Sequence, residues 1–319
     1  MRATMIAKSV RCYHMAQARP LALARPSQRA RRARCRKQAQ SSRHQLPRVS
    51  SVNRVAVAPA GSEAVASKVP EVTLGFWIIK VAATTLGETG GDTLSMTLGL
   101  GYLTSTLIFA AALVILAACQ IAAKRFRPFL YWATIIASTT AGTTLADFAD
   151  RSLGIGYLGG SLLLLACVLG SLALWYRTEG TVSVNTVNTP RVEAFYWLTI
   201  TFSQTLGTAL GDWVADAGLG YRGGALVFGA LLILVALAYY RTRISHVVLF
   251  WTAFILTRPL GATIGDFFDK PIAQGGLNVS RPLASAILAV FIIVCIWLIP
   301  QRAGSHPRTA SGVPPGPGV

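Results

Sequence analysis

The chain has 319 residues, 53% of them hydrophobic and only 13% charged, with a mean hydropathy of +0.51; this composition excludes an ordinary soluble domain and marks a polytopic membrane protein. The formal charge of +18 is local, because residues 1–62 hold 14 Lys or Arg and no acid, whereas residues 63–319 hold 16 basic and 12 acidic residues. A basic segment without interleaved aromatics or a recognition motif excludes a nucleic-acid partner.

Residues 1–68 are expected to be a disordered basic extension, since an Arg-, Ser- and Ala-rich composition cannot build a core. The extension resembles an organellar transit peptide. A misassigned start codon, or a tail drawn to anionic lipid, would give the same composition. Residues 69–302 form the expected membrane domain, in which two kinds of apolar segment alternate. One kind, about 72–97, 129–149, 194–216 and 247–268, carries polar residues; the other, about 101–122, 156–176, 223–241 and 282–300, is plainer. Each is long enough to cross about 30 Å of hydrocarbon, which takes roughly 20 helical residues. The predicted fold class is all-α: eight transmembrane helices, as four parallel two-helix repeats (about 72–124, 129–177, 193–241 and 246–300) around a central axis. Residues 303–319, ending GVPPGPGV, are expected to be a disordered tail.

Loop charge orients the bundle. Ten basic residues, among them Lys124, Arg177, Arg191, Arg241 and Arg302, fall on the connections from plain to polar segments and at the flanks; four, Arg151, Arg222, Lys270 and Arg281, fall on the opposite connections. The positive-inside rule then places both termini in the cytoplasm or its organellar equivalent, in a bacterial inner membrane or an organellar membrane.

The polar segments are copies of one another. FWIIKVAATTLGETGGD at 76–92 is followed by YWATIIASTTAGTTLAD from Tyr131, YWLTITFSQTLGTALGD from Tyr196 and FWTAFILTRPLGATIGD from Phe250. Trp77, Trp132, Trp197 and Trp251 each stand ten residues before Gly87, Gly142, Gly207 or Gly261, and five residues further come Asp92, Asp147, Asp212 and Asp266. Four residues before each Asp stand Glu88, Thr143, Thr208 and Ala262; eight before stand Thr84, Thr139, Gln204 and Arg258. Residues four apart share a helical face, so three copies carry an unbroken polar stripe ending in a carboxylate, and Lys80 extends the first by a turn.

An ionisable group at the bilayer centre costs about 2.5–3.5 kcal/mol on insertion scales, so Lys80, Glu88 and Arg258 need a partner or a wet cavity. Lys80 and Glu88 lie on one face, able to share a cavity; Glu88 can instead pair with Arg258 if four units close round an axis and make the first and last neighbours. The Thr, Gln and Gly positions suit either a polar path or plain helix packing. The second acids, Asp150, Asp216 and Asp269, are expected in solvated loops. The fourth copy continues FFDKPIAQGGLNVSRP, a longer loop expected to cover one side of the outer opening.

No Cys or His falls inside a repeat core, and no CxxC or phosphate loop occurs, so no cofactor is expected. An enzyme is not expected either: Gly90-Gly91-Asp92 is only faintly like the GxGD of intramembrane aspartyl proteases, since residue 89 is Thr.

The fourfold W, T-x-G and D register within paired helices, with FWIIKVAATTLGETGGDTLSMTLGLGY as its first copy, resembles an uncharacterised bacterial integral membrane-protein family built from four copies of a short two-helix domain of unknown function. The resemblance covers about 70–300 and implies an integral membrane protein, without a substrate. The leading expectation is a secondary transporter or permease for a cation or small solute. Its path is lined by Lys80, Thr84, Glu88, Asp92, Thr143, Asp147, Gln204, Thr208, Asp212, Arg258 and Asp266. The lipid bilayer is the expected partner, with a proton or cation as coupling ion and oligomerisation open. The alternative is a non-transporting scaffold that uses the same faces for assembly.

Overall fold

The computed structural model describes residues 65–306. The expectations for the preceding basic segment and for the tail beyond 306 lie outside the described residues. Among these residues run β1 (Val65–Pro70), α1 (Leu74–Asp92), α2 (Gly101–Ala122), α3 (Pro128–Asp147), α4 (Tyr157–Glu179), α5 (Pro190–Val214), α6 (Gly220–Arg241), α7 (His246–Asp269), α8 (Arg281–Leu298) and β2 (Ala303–His306). Local chemistry sets several boundaries. Thr73 caps α1 by accepting from Phe76 N, Thr189 caps α5 by accepting from Val192 N, and Pro128 and Pro190 stand at helix starts. After Asp92, Asp147 and Val214 the chain runs through five-residue π-helical turns. All three turns reverse through paired glycines with positive φ, Gly99/Gly101, Gly154/Gly156 and Gly218/Gly220, a conformation that side chains oppose.

The polar helices α1, α3, α5 and α7 pack in a ring in chain order, and α7 closes on α1. The plain helices form the outer shell, displaced by one copy: α2 lies on α3, α4 on α5, α6 on α7 and α8 on α1. Each shell helix thus covers the core helix of the following repeat. No two-helix repeat is a packing unit by itself, and the ring must close for α1 to be covered.

The shell exposes a continuous apolar surface, including Leu107, Val114, Leu163, Leu226, Ile233, Ile287 and Trp297. Such a surface would drive aggregation in water and is ordinary against lipid. Five helical stretches are long and apolar enough to cross a membrane: Gly101–Ala122, Tyr157–Glu179, Pro190–Arg241, His246–Asp269 and Arg281–Leu298. The third comprises two helices, α5 and α6, separated by a break at Gly218, whose φ of +100° is not helical. Helices α1 and α3 are less apolar because they lie inside the ring and bury polar residues such as Lys80, Glu88 and Thr143.

Two expected boundaries are corrected. The extension was to run to 68 and the tail to begin at 303, yet β1 and β2 pair antiparallel, Ala66 with Ser305 and Pro70 with Ala303. The chain enters α1 and leaves α8 at the same end of the bundle, so the flanking segments meet. The connection between α4 and α5 joins them: Ser67 Oγ donates to Val184 O at 2.7 Å and Lys68 N to Val187 O at 2.7 Å. Lys68 Nζ also lies 2.5 Å from Glu193 Oε1 of α5, and both residues are buried.

Candidate functional site

The ring helices stack layers along their common axis. At the β-sheet end stands an aromatic layer. Each Trp packs on the aromatic residue that opens the preceding copy: Trp132 on Phe76, Trp197 on Tyr131, Trp251 on Tyr196, and Trp77 on Phe250, with centroids 5.5, 5.8, 6.2 and 5.8 Å apart. Tyr131 and Tyr196 share a 2.6 Å hydroxyl hydrogen bond, and both are fully buried.

The next layers are drawn together by small residues. A Cβ at Gly87 would strike the Thr139 side chain, one at Gly207 the Arg258 side chain, and one at Gly261 Thr84; at Gly142 it would lie 2.9 Å from the backbone of Gln204 and Thr205. One turn on, Gly91 faces Thr143, Gly211 faces Ala262 and Gly265 faces Glu88. Each helix therefore presents Gly-x-x-x-Gly, or Gly-x-x-x-Ala in the second copy, to the stripe of the next. This is the close backbone approach that small residues allow in lipid. The recurring glycines are packing residues.

Arg258 reaches up from α7 into the layer of Glu88, Thr143 and Thr208. Its Nη2 donates to Glu88 Oε2 at 2.9 Å, to Thr143 Oγ1 and to Thr208 Oγ1, so one nitrogen touches all three other copies. Arg258 is wholly buried and Glu88 is 2% exposed. The break in the fourth stripe has its reason here: Ala262 stands in the layer that the Arg258 head fills. Glu88 pairs with Arg258, and not with Lys80.

Lys80 is also wholly buried, and its Nζ has no hydrogen-bond partner among the described residues. The Phe254 ring lies 4.1 Å from it. A desolvated cation–π contact contributes about 2 kcal/mol, whereas burying an ammonium costs several, so the ring does not offset the burial of the charge.

The final layer holds Asp92, Asp147, Asp212 and Asp266, all at most 6% exposed. They are ion-paired and not solvated. Lys270 Nζ bridges Asp266 Oδ1 at 2.9 Å and Asp92 Oδ2 at 2.8 Å. Arg151 Nε lies 2.9 Å from Asp147 Oδ1, and its Nη2 is 3.6 Å from Asp212 Oδ2. The fourth repeat is thereby tied to the first, and the second to the third. Arg281 Nε adds contacts to Asp269 Oδ2 at 3.0 Å and to Asp92 Oδ2 at 3.6 Å. Burial works against the Lys270 charge, but Asp266, Asp92 and Asp269 outweigh it and push the pKa above the ordinary lysine value.

The expectation of a solvated Asp269 is corrected, for it is 5% exposed beneath Arg281; Asp216 is exposed and receives the Tyr157 hydroxyl at 2.8 Å. Sequence reasoning missed Lys270, Arg151, Arg281 and Asp269 as site residues. The signal was present: Asp147-Phe-x-Asp-Arg151 and Asp266-Phe-x-Asp-Lys270 put a base one turn beyond the acid in alternate copies.

Carboxylate oxygens of Glu88, Asp212 and Asp266 lie within 4.8 Å of one another, as do those of Asp92, Asp266 and Asp269. Both trios have the spacing of a cation site. Lys270 Nζ already holds the cationic position in the second, and Arg258 neutralises one member of the first.

The family model described as Repeat of Unknown Function (DUF347) matches residues 75–126, 130–181, 195–245 and 249–303. Comparison with curated proteins and with solved structures gave no match. The four matches span well over half of the chain and coincide with the four core–shell helix pairs in sequence, so the chain belongs to the family built from this repeat.

Proposed function

We propose that this membrane protein is a secondary transporter, with all eight long helices crossing the bilayer and a solute path along the ring axis. Both termini then lie on the cytoplasmic or organellar-equivalent side, as the loop charges require. The observation that carries the reading is the buried trio of Glu88, Asp212 and Asp266, contributed by three repeats within 4.8 Å of one another. Three carboxylates so close and out of water need a cation or shared protons among them. Arg258 answers Glu88, Lys270 answers Asp266, and Arg151 reaches Asp212 at 3.6 Å, so a proton taken up by the trio would unbalance ion pairs that involve all four repeats. Proton exchange at the trio would change the hold of Glu88 on Arg258, and through its Nη2 the contacts with Thr143 and Thr208. A protonation event is thus coupled to the packing of all four repeats.

In this reading the aromatic layer and the Lys270 and Arg151 bridges are the two closures of the path, and alternating access opens one at a time. The transported species is a cation or small solute that moves with protons. The test is flux in liposomes containing the purified chain. Under an imposed pH gradient, solute-dependent proton movement is expected from the wild type and not from Glu88→Gln, which keeps size and hydrogen bonding but cannot ionise. Sealed vesicles indifferent to every solute tried would instead support the scaffold.

A further inference from the structure

The layer between the aromatic closure and the carboxylates is unlike either. Lys80 Nζ, Thr139 Oγ1, Gln204 Oε1 and Nε2, and Arg258 Nε and Nη1 have no hydrogen-bond partner among the described residues, and all four residues are 0% exposed. One comes from each repeat. Each lies on the axis-facing stripe: Thr139 and Gln204 stand one turn before Thr143 and Thr208, whose hydroxyls meet the Arg258 head, and Lys80 stands two turns before Glu88. Lys80 reaches α7 at Phe254, one turn before Arg258.

Donors dominate this set. Lys80, Arg258 and the Gln204 amide offer N–H groups, against acceptors only on Gln204 and Thr139. Charge points the same way. Glu88 answers Arg258, while no carboxylate pairs with Lys80 among the described residues. A donor-rich layer whose one lysine amine has no carboxylate partner among the described residues is complementary to one small negative ligand. The acid trios, by contrast, are already met by cations of the chain.

We infer that Lys80, Thr139, Gln204 and Arg258 form a binding site for a small monovalent anion, such as a carboxylate, at mid-axis. The anion accepts from the Lys80 ammonium, the free Arg258 nitrogens and the Gln204 amide. The inference names the substrate class for the transport reading and rests on it only for the step from binding to movement. The proton-linked trio one turn away would then let anion and proton travel together.

Equilibrium binding tests the site without flux. Full-length protein in nanodiscs is titrated with radiolabelled formate at constant sodium, with sulfate as the replaced anion, and its unfolding temperature is followed in the same salts. Saturable binding of one formate per chain, displaced by nitrate, and a formate-dependent rise in unfolding temperature are expected. Lys80→Met should abolish both, and Gln204→Leu should weaken binding at least tenfold. If Lys80→Met does not fold, Gln204→Leu and Thr139→Val decide. Absence of saturable binding by the wild type, or equal binding by the folded variants, overturns the site. Formate binding without flux would remove the transporter and keep the anion site; solute-driven flux without formate binding would do the reverse.

Discussion

Lys270 Nζ lies 2.8 Å from Asp92 Oδ2, so a residue just beyond the last core helix secures the end of the first. It also holds Asp266, one turn back on its own helix, at 2.9 Å. Lys270→Met would leave two carboxylates less than 5% exposed without this counter-charge. Breaking a buried pair costs about 3–5 kcal/mol. Thermal unfolding in nanodiscs should show that loss, and Lys270→Arg should recover most of it. Because the folded-state pKa is raised, the Lys270 contribution is complete below the ordinary lysine value of about 10.4 and declines only as pH rises through the higher folded value. Stability measured between pH 6 and about 9 should therefore change little through this residue.

Gly142 and Gly170 provide a matched pair of helix-interior glycines. A Cβ at Gly142 would come within 2.9 Å of the α5 backbone, whereas one at Gly170 would meet nothing within 4 Å. Backbone cannot rotate aside, so Gly142→Ala should cost about 1–3 kcal/mol, the range of overpacked cores. Gly170→Ala should be neutral or stabilising by up to about 1 kcal/mol. Unfolding temperatures of the two variants, side by side, check the claim. Equal effects would show that the ring is not held together by its small residues.

The β1–β2 pair and the connection at Val184–Thr186 share one end of the bundle, and the connection at Ile272–Gln274 follows α7 at the other. Impermeant thiol reagents applied to a cysteine-free background should therefore label single cysteines at 185 and 302 from the same side, and one at 274 from the opposite side. Labelling of 185 and 302 from opposite sides would rule out eight crossings.

The repeat register, the helix pairs and the polar stripe were legible in the sequence because they are local: a ten-residue Trp–Gly spacing and a four-residue polar spacing are properties of one helix. The pairing of Glu88 with Arg258 followed once ring closure was assumed, since closure alone makes the first and last copies neighbours. The displaced shell was not legible, because nothing within α2 says whether it lies on α1 or α3. Asp269 was misread for a related reason. An acid beside a loop lysine looks solvated until Arg281, twelve residues on, folds over it. The Gly-x-x-x-Gly spacing was visible all along, but its meaning depends on which residue of the next copy enters the groove.

Arg258 and Glu88 allow pairing to be separated from coupling. Arg258→Met removes contacts to Glu88, Thr143 and Thr208, and leaves Glu88 without its ion partner. Glu88→Gln removes one charge and leaves Arg258 its two threonine contacts. The arginine change should thus be the more damaging, at about 3–5 kcal/mol. The double variant leaves neither charge stranded, so its cost should fall short of the summed single costs by about 0.5–3 kcal/mol, the usual size of a direct interaction. Thermal unfolding of the four proteins in nanodiscs measures that term. Flux on the same four proteins should not follow stability: the double variant regains packing but has no ionisable group at position 88, and its proton-linked transport should remain absent. Strict additivity in the unfolding data would mean that the 2.9 Å contact contributes no coupling energy. Restored proton-linked flux in the double variant would move the coupling role away from Glu88 and onto Asp212 and Asp266.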